Sequence, residues 1–297
     1  MHRFFAEPVD FDSAAKVTGA GVGQEEAPGS LRLLALSQED ARHARTVLRL
    51  CPGDQVEALC PEGRFAAVIR TLDADGGTLE IVRSLPDTEP RLRITLFQGL
   101  PKADKMEWIV QKATELGVDR IVPLRMARCV MRMDEKDAEK KRERWQKIAR
   151  EACKQSGRRL MPEVCLPVSL PALPPLLKTL DLTVAPWETY FVRDPLQRER
   201  SQNSQPKEDC SSAGPVGDNV NISVGHPGLL TVRKTYPDIS SLGIVIGPEG
   251  GIEQEEMKTL TAYGCLPVTL GRRILRTETA GLAALSAMMC LYGEMEN

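Results

Sequence analysis

Apolar positions follow two different rhythms along this chain. Up to about residue 88 they come as short runs broken by turn residues; beyond residue 91, strand-length runs alternate with helical periods. In the first part, Gln55–Leu59, Arg64–Arg70 and Thr78–Val82 predict strands. Pro52-Gly53-Asp54, Pro61-Glu62-Gly63 and the stretch from Asp73 to Gly77 supply the turns. Ser37 to Asp40 caps a predicted helix that carries His43, Val47 and Leu48. Short strands with tight turns fit a small barrel, expected over residues 1–88. Gly19 to Gly29 reads as a Gly/Pro/Glu-rich loop, and Pro86 to Pro90 as the linker.

Residues 91–297 are expected to form a second, α/β domain. Arg93–Gln98 is a predicted strand. Asp104 opens a helix whose Met106, Ile109, Val110, Ala113 and Leu116 recur at helical period, with Glu107 at capping-box spacing and Gly117 as the stop. Arg120–Leu124 is the next strand, and a basic helix with the apolar stripe Trp145, Ile148, Ala149 and Ala152 runs from Glu135 to about Gln155, ended by Gly157. A Pro-rich stretch from Ser169 with one short helix precedes the strand Leu182–Ala185. This β-α-β succession predicts a parallel sheet. Residues 193–238 break the rhythm: from Arg193 to Val224 the chain is polar with almost no apolar period, and it reads as a mobile insertion in a loop of this domain. Strand pattern resumes at Gly243–Ile246.

Charge is uneven. Residues 91–159 hold 19 Lys+Arg against 10 Asp+Glu, a balance of +9, which leaves −11 for the rest of a chain of net charge −2. Such a contrast points to a polyanion docked on one face, the alternative being a solvated helix surface. No run approaches the roughly 18 apolar residues of a membrane span, and the N-terminus lacks a signal peptide's apolar core. A cytoplasmic protein without membrane attachment is expected. The eight cysteines include no C-x-x-C pair and histidines number three, so neither a metal site nor a disulfide framework is expected.

Candidate chemistry sits near the C-terminus. Ile244–Gly251 and Leu270–Ala280 each read as an apolar run that stops near glycine and feeds a helix, the shape of a crevice at a strand end. Glycines let backbone approach a ligand, and the helix predicted from Ile252 to Ala262 is expected to aim N–H groups at that crevice. The spacing is neither G-x-G-x-x-G nor a P-loop, so NAD and nucleoside triphosphates are not indicated. Arg276 directly precedes a helix from Thr277 or Glu278 to about Tyr292, apolar nearly all round, as expected of a core or subunit-interface element.

Leu270-Gly-x-Arg-Ile-Leu-Arg-Thr-Glu-Thr-Ala280, with Ile246-Gly-Pro-Glu-Gly-Gly251 upstream, resembles the bacterial family that methylates N3 of a uridine in small-subunit (16S) ribosomal RNA, within the SPOUT methyltransferases. The similarity extends to Met1-x-Arg-Phe-Phe5, His43-x-x-x-Val-Leu-Arg49, Gln98-Gly-Leu-Pro-Lys-x-Asp-Lys-Met-Glu107, Lys112–Gly117 and Arg144–Ala149. It implies a PUA-like barrel that helps bind RNA and a parallel sheet with a deep trefoil knot. It also implies S-adenosylmethionine held in the knot and a homodimer with active sites at the interface. A knot would be rejected on general grounds, since self-threading chains are very rare; it enters through the resemblance alone.

Carried over to this chain, the cofactor loops are Pro186, Trp187 and Glu188; Ile246, Gly247, Pro248, Gly250 and Gly251; and Leu270, Gly271, Ile274 and Leu275. Arg276 would stabilise charge on the uracil, with Glu278 or Glu249 as a base. The basic segment implies RNA contacts at Lys102, Lys105, Arg128, Arg132 and Arg158, joined by Arg3, His43 and Arg49 from the barrel. Two other readings stand beside this one: methylation of another base or of a ribose 2′-hydroxyl, and a non-catalytic RNA-binding protein of ribosome assembly.

Overall fold

The computed structural model describes residues 1–9, 33–131, 133–187 and 226–296. Strands β1 (Arg3–Pro8), β2 (Leu33–Leu36), β3 (Gln55–Cys60), β4 (Gly63–Leu72) and β5 (Gly77–Leu85) close into a barrel in the order β1-β2-β5-β4-β3. Its neighbours pair antiparallel except at the closing seam, where β1 and β3 run parallel with Arg3 opposite Glu57. Alternate residues point inward, so Phe4, Leu34, Val56, Ile69 and Leu79 share one buried cluster. Helix α1 (Gln38–Thr46) plugs it with Ala41 and Ala44; the Ser37 hydroxyl accepts the Asp40 N–H at 3.2 Å, as the capping pattern predicted.

The second part is a sheet of β6 (Arg93–Gly99), β7 (Arg120–Arg125), β8 (Glu163–Val164), β9 (Val168–Ser169), β10 (Leu182–Pro186), β11 (Ser241–Ile246) and β12 (Leu266–Val268). The order is β12-β10-β11-β6-β7-β8, with β9 also beside β7, and every pair is parallel. Helices α2 (Lys105–Glu115), α3 (Glu135–Ser156), α4 (Pro174–Leu177), α5 (Leu229–Thr235), α6 (Gln254–Ala262) and α7 (Thr277–Leu291) accompany it. Buried on both faces, the strands feed two cores. Leu242, Ile244 and Ile246 face the core shared by α2, α3 and α7, while Val245 faces the one built with α6.

Local chemistry departs from expectation in three places. Asp104 makes no side-chain cap, and its predicted partner Glu107 instead accepts a hydrogen bond from Arg144 at 2.8 Å. A 3-10 turn over Leu170–Ala172 precedes α4, so the Pro-rich stretch holds two short pieces rather than one. The insertion boundary also moves. Residues 226–238 are part of the packed domain, because α5 buries Val232 in the main core. Residues 188–225, which include the rest of that expected insertion, and the loop expected at Gly19 to Gly29 lie outside the described residues.

Much of the basic segment's charge is spent inside the molecule. The Asp40 carboxylate, on the barrel and 2% exposed, receives Arg150 at 2.6 Å and Lys154 at 2.8 Å from α3. Arg3 of β1 pairs with Glu57 at 2.9 Å and donates to the carbonyls of Lys154 and Gln155. Beyond α3, Arg158 pairs with Glu89 and Arg159 with Asp87, pinning the stretch that joins barrel to sheet. The barrel is therefore clamped against α3 by ions as well as by covalent connection.

Candidate active site

Because the strands are parallel, β10, β11 and β12 deliver their C-terminal ends to one edge of the sheet. The turns that follow them enclose a cavity of about 540 Å³, within the range of roughly 300–1,000 Å³ usual for small-molecule sites. Pro186 and Trp187 line it, as do Ile246 to Ile252 and Thr269 to Thr277. The glycines are needed for steric reasons. A Cβ on Gly99 would lie 2.5 Å from the Pro248 nitrogen, so β6 has to be bare where the turn after β11 crosses it. Gly251 and Gly271 take φ of 73° and 101°, left-handed values that disfavour any side chain.

Hydrogen bonds tie the three turns together. The Thr277 hydroxyl donates to the Gly247 carbonyl at 2.6 Å and accepts from the Gln98 amide at 2.9 Å; that amide also donates to the Gly99 carbonyl. Trp187 donates its backbone N–H to the Val268 carbonyl and its indole N–H to the Ile252 carbonyl at 3.3 Å. Trp187 thus links the end of β10 to both other turns. Sequence reading missed the Gln98–Thr277 link; a glutamine closing an otherwise apolar strand was its one visible signal.

Charged groups gather at the mouth. Lys105, at the start of α2, places its ammonium 3.1 Å from Glu249 and 3.1 Å from Glu278. Glu249 also accepts the Lys102 N–H at 3.0 Å. Burial disfavours the charged form of Glu249, but the Lys102 N–H and the Lys105 ammonium outweigh it and hold its pKa below the ordinary value. Glu249 together with Glu278 raises that of Lys105. Arg128, Arg272, Arg273 and Arg276 also line the cavity, so the charged side chains in its lining are predominantly cationic.

Several predicted site residues are placed differently from expectation. Lys105 lies in the cavity wall, joined to two carboxylates, rather than on an open RNA-facing surface. Glu278, in the first turn of α7, does not line the cavity. Arg128 braces the turn after β11, through the Gly250 carbonyl at 2.8 Å and Glu253 at 3.2 Å. A side chain on Gly250 would meet Arg128 at 2.8 Å, so this glycine makes room for an arginine beside the cavity it lines. Ile274 is 75% exposed, leaving its backbone as the part that shapes the rim. Helix α6 begins at Gln254 and is closed by a capping box between Glu253 and Glu256; neither residue lines the cavity, so its N–H groups are not the expected cradle.

The expected RNA contacts also divide. His43, Arg49 and Lys102 are exposed. Arg158 is 5% exposed and is consumed by Glu89 and by the carbonyls of Thr114 and Val118, and Arg3 is held at the barrel seam. Those two are structural ties. Arg132 and Glu188 lie outside the described residues. Among the described residues no His/Cys/Asp/Glu group suited to a metal ion is present, and no helix is long and apolar enough to cross a membrane.

The family model described as an RNA methyltransferase domain matches residues 88–215 and 224–289. A Bacillus subtilis (strain 168) protein named ribosomal RNA small subunit methyltransferase E is 34% identical over 267 residues, covering 89% of this chain and 91% of that protein. A Neisseria gonorrhoeae structure of the same name, bound to S-adenosyl methionine, superposes with a TM-score of 0.65 at 26% identity, over 98% of both chains. A Legionella pneumophila structure solved with bound SAM gives a TM-score of 0.64 at 28% identity, over 98% of this chain and 97% of that one. With more than half of its length matched by the family model and a relative above 30% identity matched almost end to end, the chain belongs to the ribosomal RNA small subunit methyltransferase E family of SPOUT methyltransferases.

Proposed function

We propose that this protein transfers a methyl group from S-adenosylmethionine to N3 of a uridine in 16S ribosomal RNA of the small subunit. The observation that carries the reading is the cavity at the ends of three parallel strands, walled by backbone and apolar side chains and rimmed by arginines. Ile246, Ile252, Leu270 and Leu275 offer apolar surface to an adenine ring, and the glycine turns offer backbone donors and acceptors to its edges. Such a wall fits the cofactor, which when bound supplies a methyl already activated on a sulfonium.

The chain's own residues then have to position the base and manage its charge. Uracil N3–H is a weak acid, and its anion spreads over the two flanking carbonyl oxygens. Arg276, in the cavity lining, would stabilise that anion. N3 lies on the pairing edge, so the target has to be unpaired or splayed out when it enters.

Finer features of the family belong to the same proposal. Strand β12 lies at the sheet edge, yet α7, next in sequence, packs against β6, β11 and α2. The segment 269–276 therefore crosses back past the turns after β10 and β11, where a trefoil knot would thread. The barrel within residues 1–88 would act as the PUA-like RNA-binding module and residues 91–297 as the catalytic domain. Helix α7 leaves Thr279, Ala283 and Cys290 exposed, a surface of small side chains that suits a second copy in a homodimer. The work would be done in the cytoplasm. Calorimetry tests the reading: one S-adenosylmethionine should bind per chain, and absence of binding would favour a non-catalytic RNA-binding protein.

A further inference from the structure

Resting on the uracil-N3 reading, we propose that Lys105 is a catalytic cation that contacts a carbonyl oxygen flanking N3, and that Glu249 and Glu278 hold it there rather than removing the N3 proton. Three segments distant in sequence converge on this ammonium. It begins α2, Glu249 comes from the turn after β11, and Glu278 from the first turn of α7. An ammonium has three donors. The two carboxylates at 3.1 Å take two of them, and Lys105 itself lines the cavity, so one N–H is left for a ligand.

The carboxylates are poorly arranged for proton abstraction. Glu249 does line the cavity, but its Oε1 atom is occupied by the Lys102 N–H and by Lys105, and its depressed pKa makes it a weak acceptor. Glu278 meets the ammonium at 3.1 Å and does not line the cavity. What they do well is fix a positive charge. In the step, the N3 proton leaves to solvent water and the imide anion is held with its oxygens against cations. The nitrogen lone pair then forms the N–CH₃ bond while the C–S electron pair returns to sulfur. Two carbonyl oxygens carry the anion's charge, and Arg276 and Lys105 supply a cation for each. The other charged groups facing this space are Arg128, Arg272 and Arg273.

The test uses the full-length protein and small ribosomal subunits carrying either uridine or 5-fluorouridine, whose N3–H is more acidic. Lys105→Met should lower the melting temperature modestly, since Glu249 and Glu278 lose their shared cation, and keep S-adenosylmethionine affinity, while transfer falls about a hundredfold, the usual loss of one preorganised charge-stabilising group. Its rate should climb with pH over a range where the parent is flat, and fluorinated subunits should recover it more than they speed the parent. Lys105→Arg, which keeps a cation, should retain the flat profile. Parent-like transfer by Lys105→Met, or an equal loss on both substrates with an unchanged pH profile, would overturn the assignment. Failure of the parent protein to produce 3-methyluridine would instead refute the functional reading on which it rests.

Discussion

Arg276 has no acid to answer to among the described residues, although it stands among charged neighbours in the cavity wall. Its side chain therefore contributes little to folding, and Arg276→Ala should leave melting temperature and cofactor affinity near the parent values. Transfer should fall by about a hundredfold. A parallel drop in melting temperature would make it a structural residue instead. Thr277 behaves oppositely, because its buried hydroxyl joins Gln98 to the Gly247 carbonyl. Thr277→Val should cost about 1–3 kcal/mol, the penalty for leaving buried polar groups unpaired, and should weaken S-adenosylmethionine binding, with Thr277→Ser restoring both. Calorimetry and thermal melts on the two variants check this. The glycines and Arg276 were legible in the sequence because they fall in compact motifs. The Gln98–Thr277 contact was not, since it joins positions 179 apart, and the glutamine that hints at one end does not point to its partner.

Helix α3 shows how the same residues support opposite conclusions at the level of an element. Its period, its Asp134 cap and its Gly157 stop at φ 80° follow from the local pattern. It belongs, however, to the basic segment 91–159, for which a docked polyanion or a solvated surface is expected, whereas Arg150 and Lys154 turn inward to Asp40. Partner assignment between distant elements is invisible to a charge count. Burial raises the Asp40 pKa, but Lys154 and then Arg150 outweigh it and hold the carboxyl below its ordinary 3.8. A depressed folded value means that this contribution to stability is fully present above pH 3.8 and is lost as pH falls through the folded value. Asp40→Asn should destabilise at neutral pH, towards the lower end of the ~3–5 kcal/mol that breaking a buried pair costs, because both cations keep some solvent contact. Melts of parent and variant should draw together in acid. A constant gap down to pH 2 would exclude the ionic origin.

For the whole molecule, the β-α-β succession made a parallel sheet predictable and the strand-and-turn rhythm a barrel, because both patterns are local. The edge at which the three turns meet was legible only as motifs, since strand order depends on long-range pairing. Once the internal pairs are set aside, the cations left on the surface for a polyanion are fewer than the balance of +9 over residues 91–159 implied. Affinity for ribosomal RNA should still fall with rising salt. Arg49→Ala and Lys102→Ala should each weaken binding and flatten that dependence, while Arg158→Ala should lower stability instead. Filter binding across a salt series, with melts of the same proteins, separates the two classes. The most direct measurement of the central claim is nucleoside mass spectrometry of small subunits incubated with the protein and methyl-deuterated S-adenosylmethionine. The account predicts deuterated 3-methyluridine from the parent protein and about a hundredth of the rate from Arg276→Ala. Label on a ribose 2′-hydroxyl or another base, or no label at all, would contradict it.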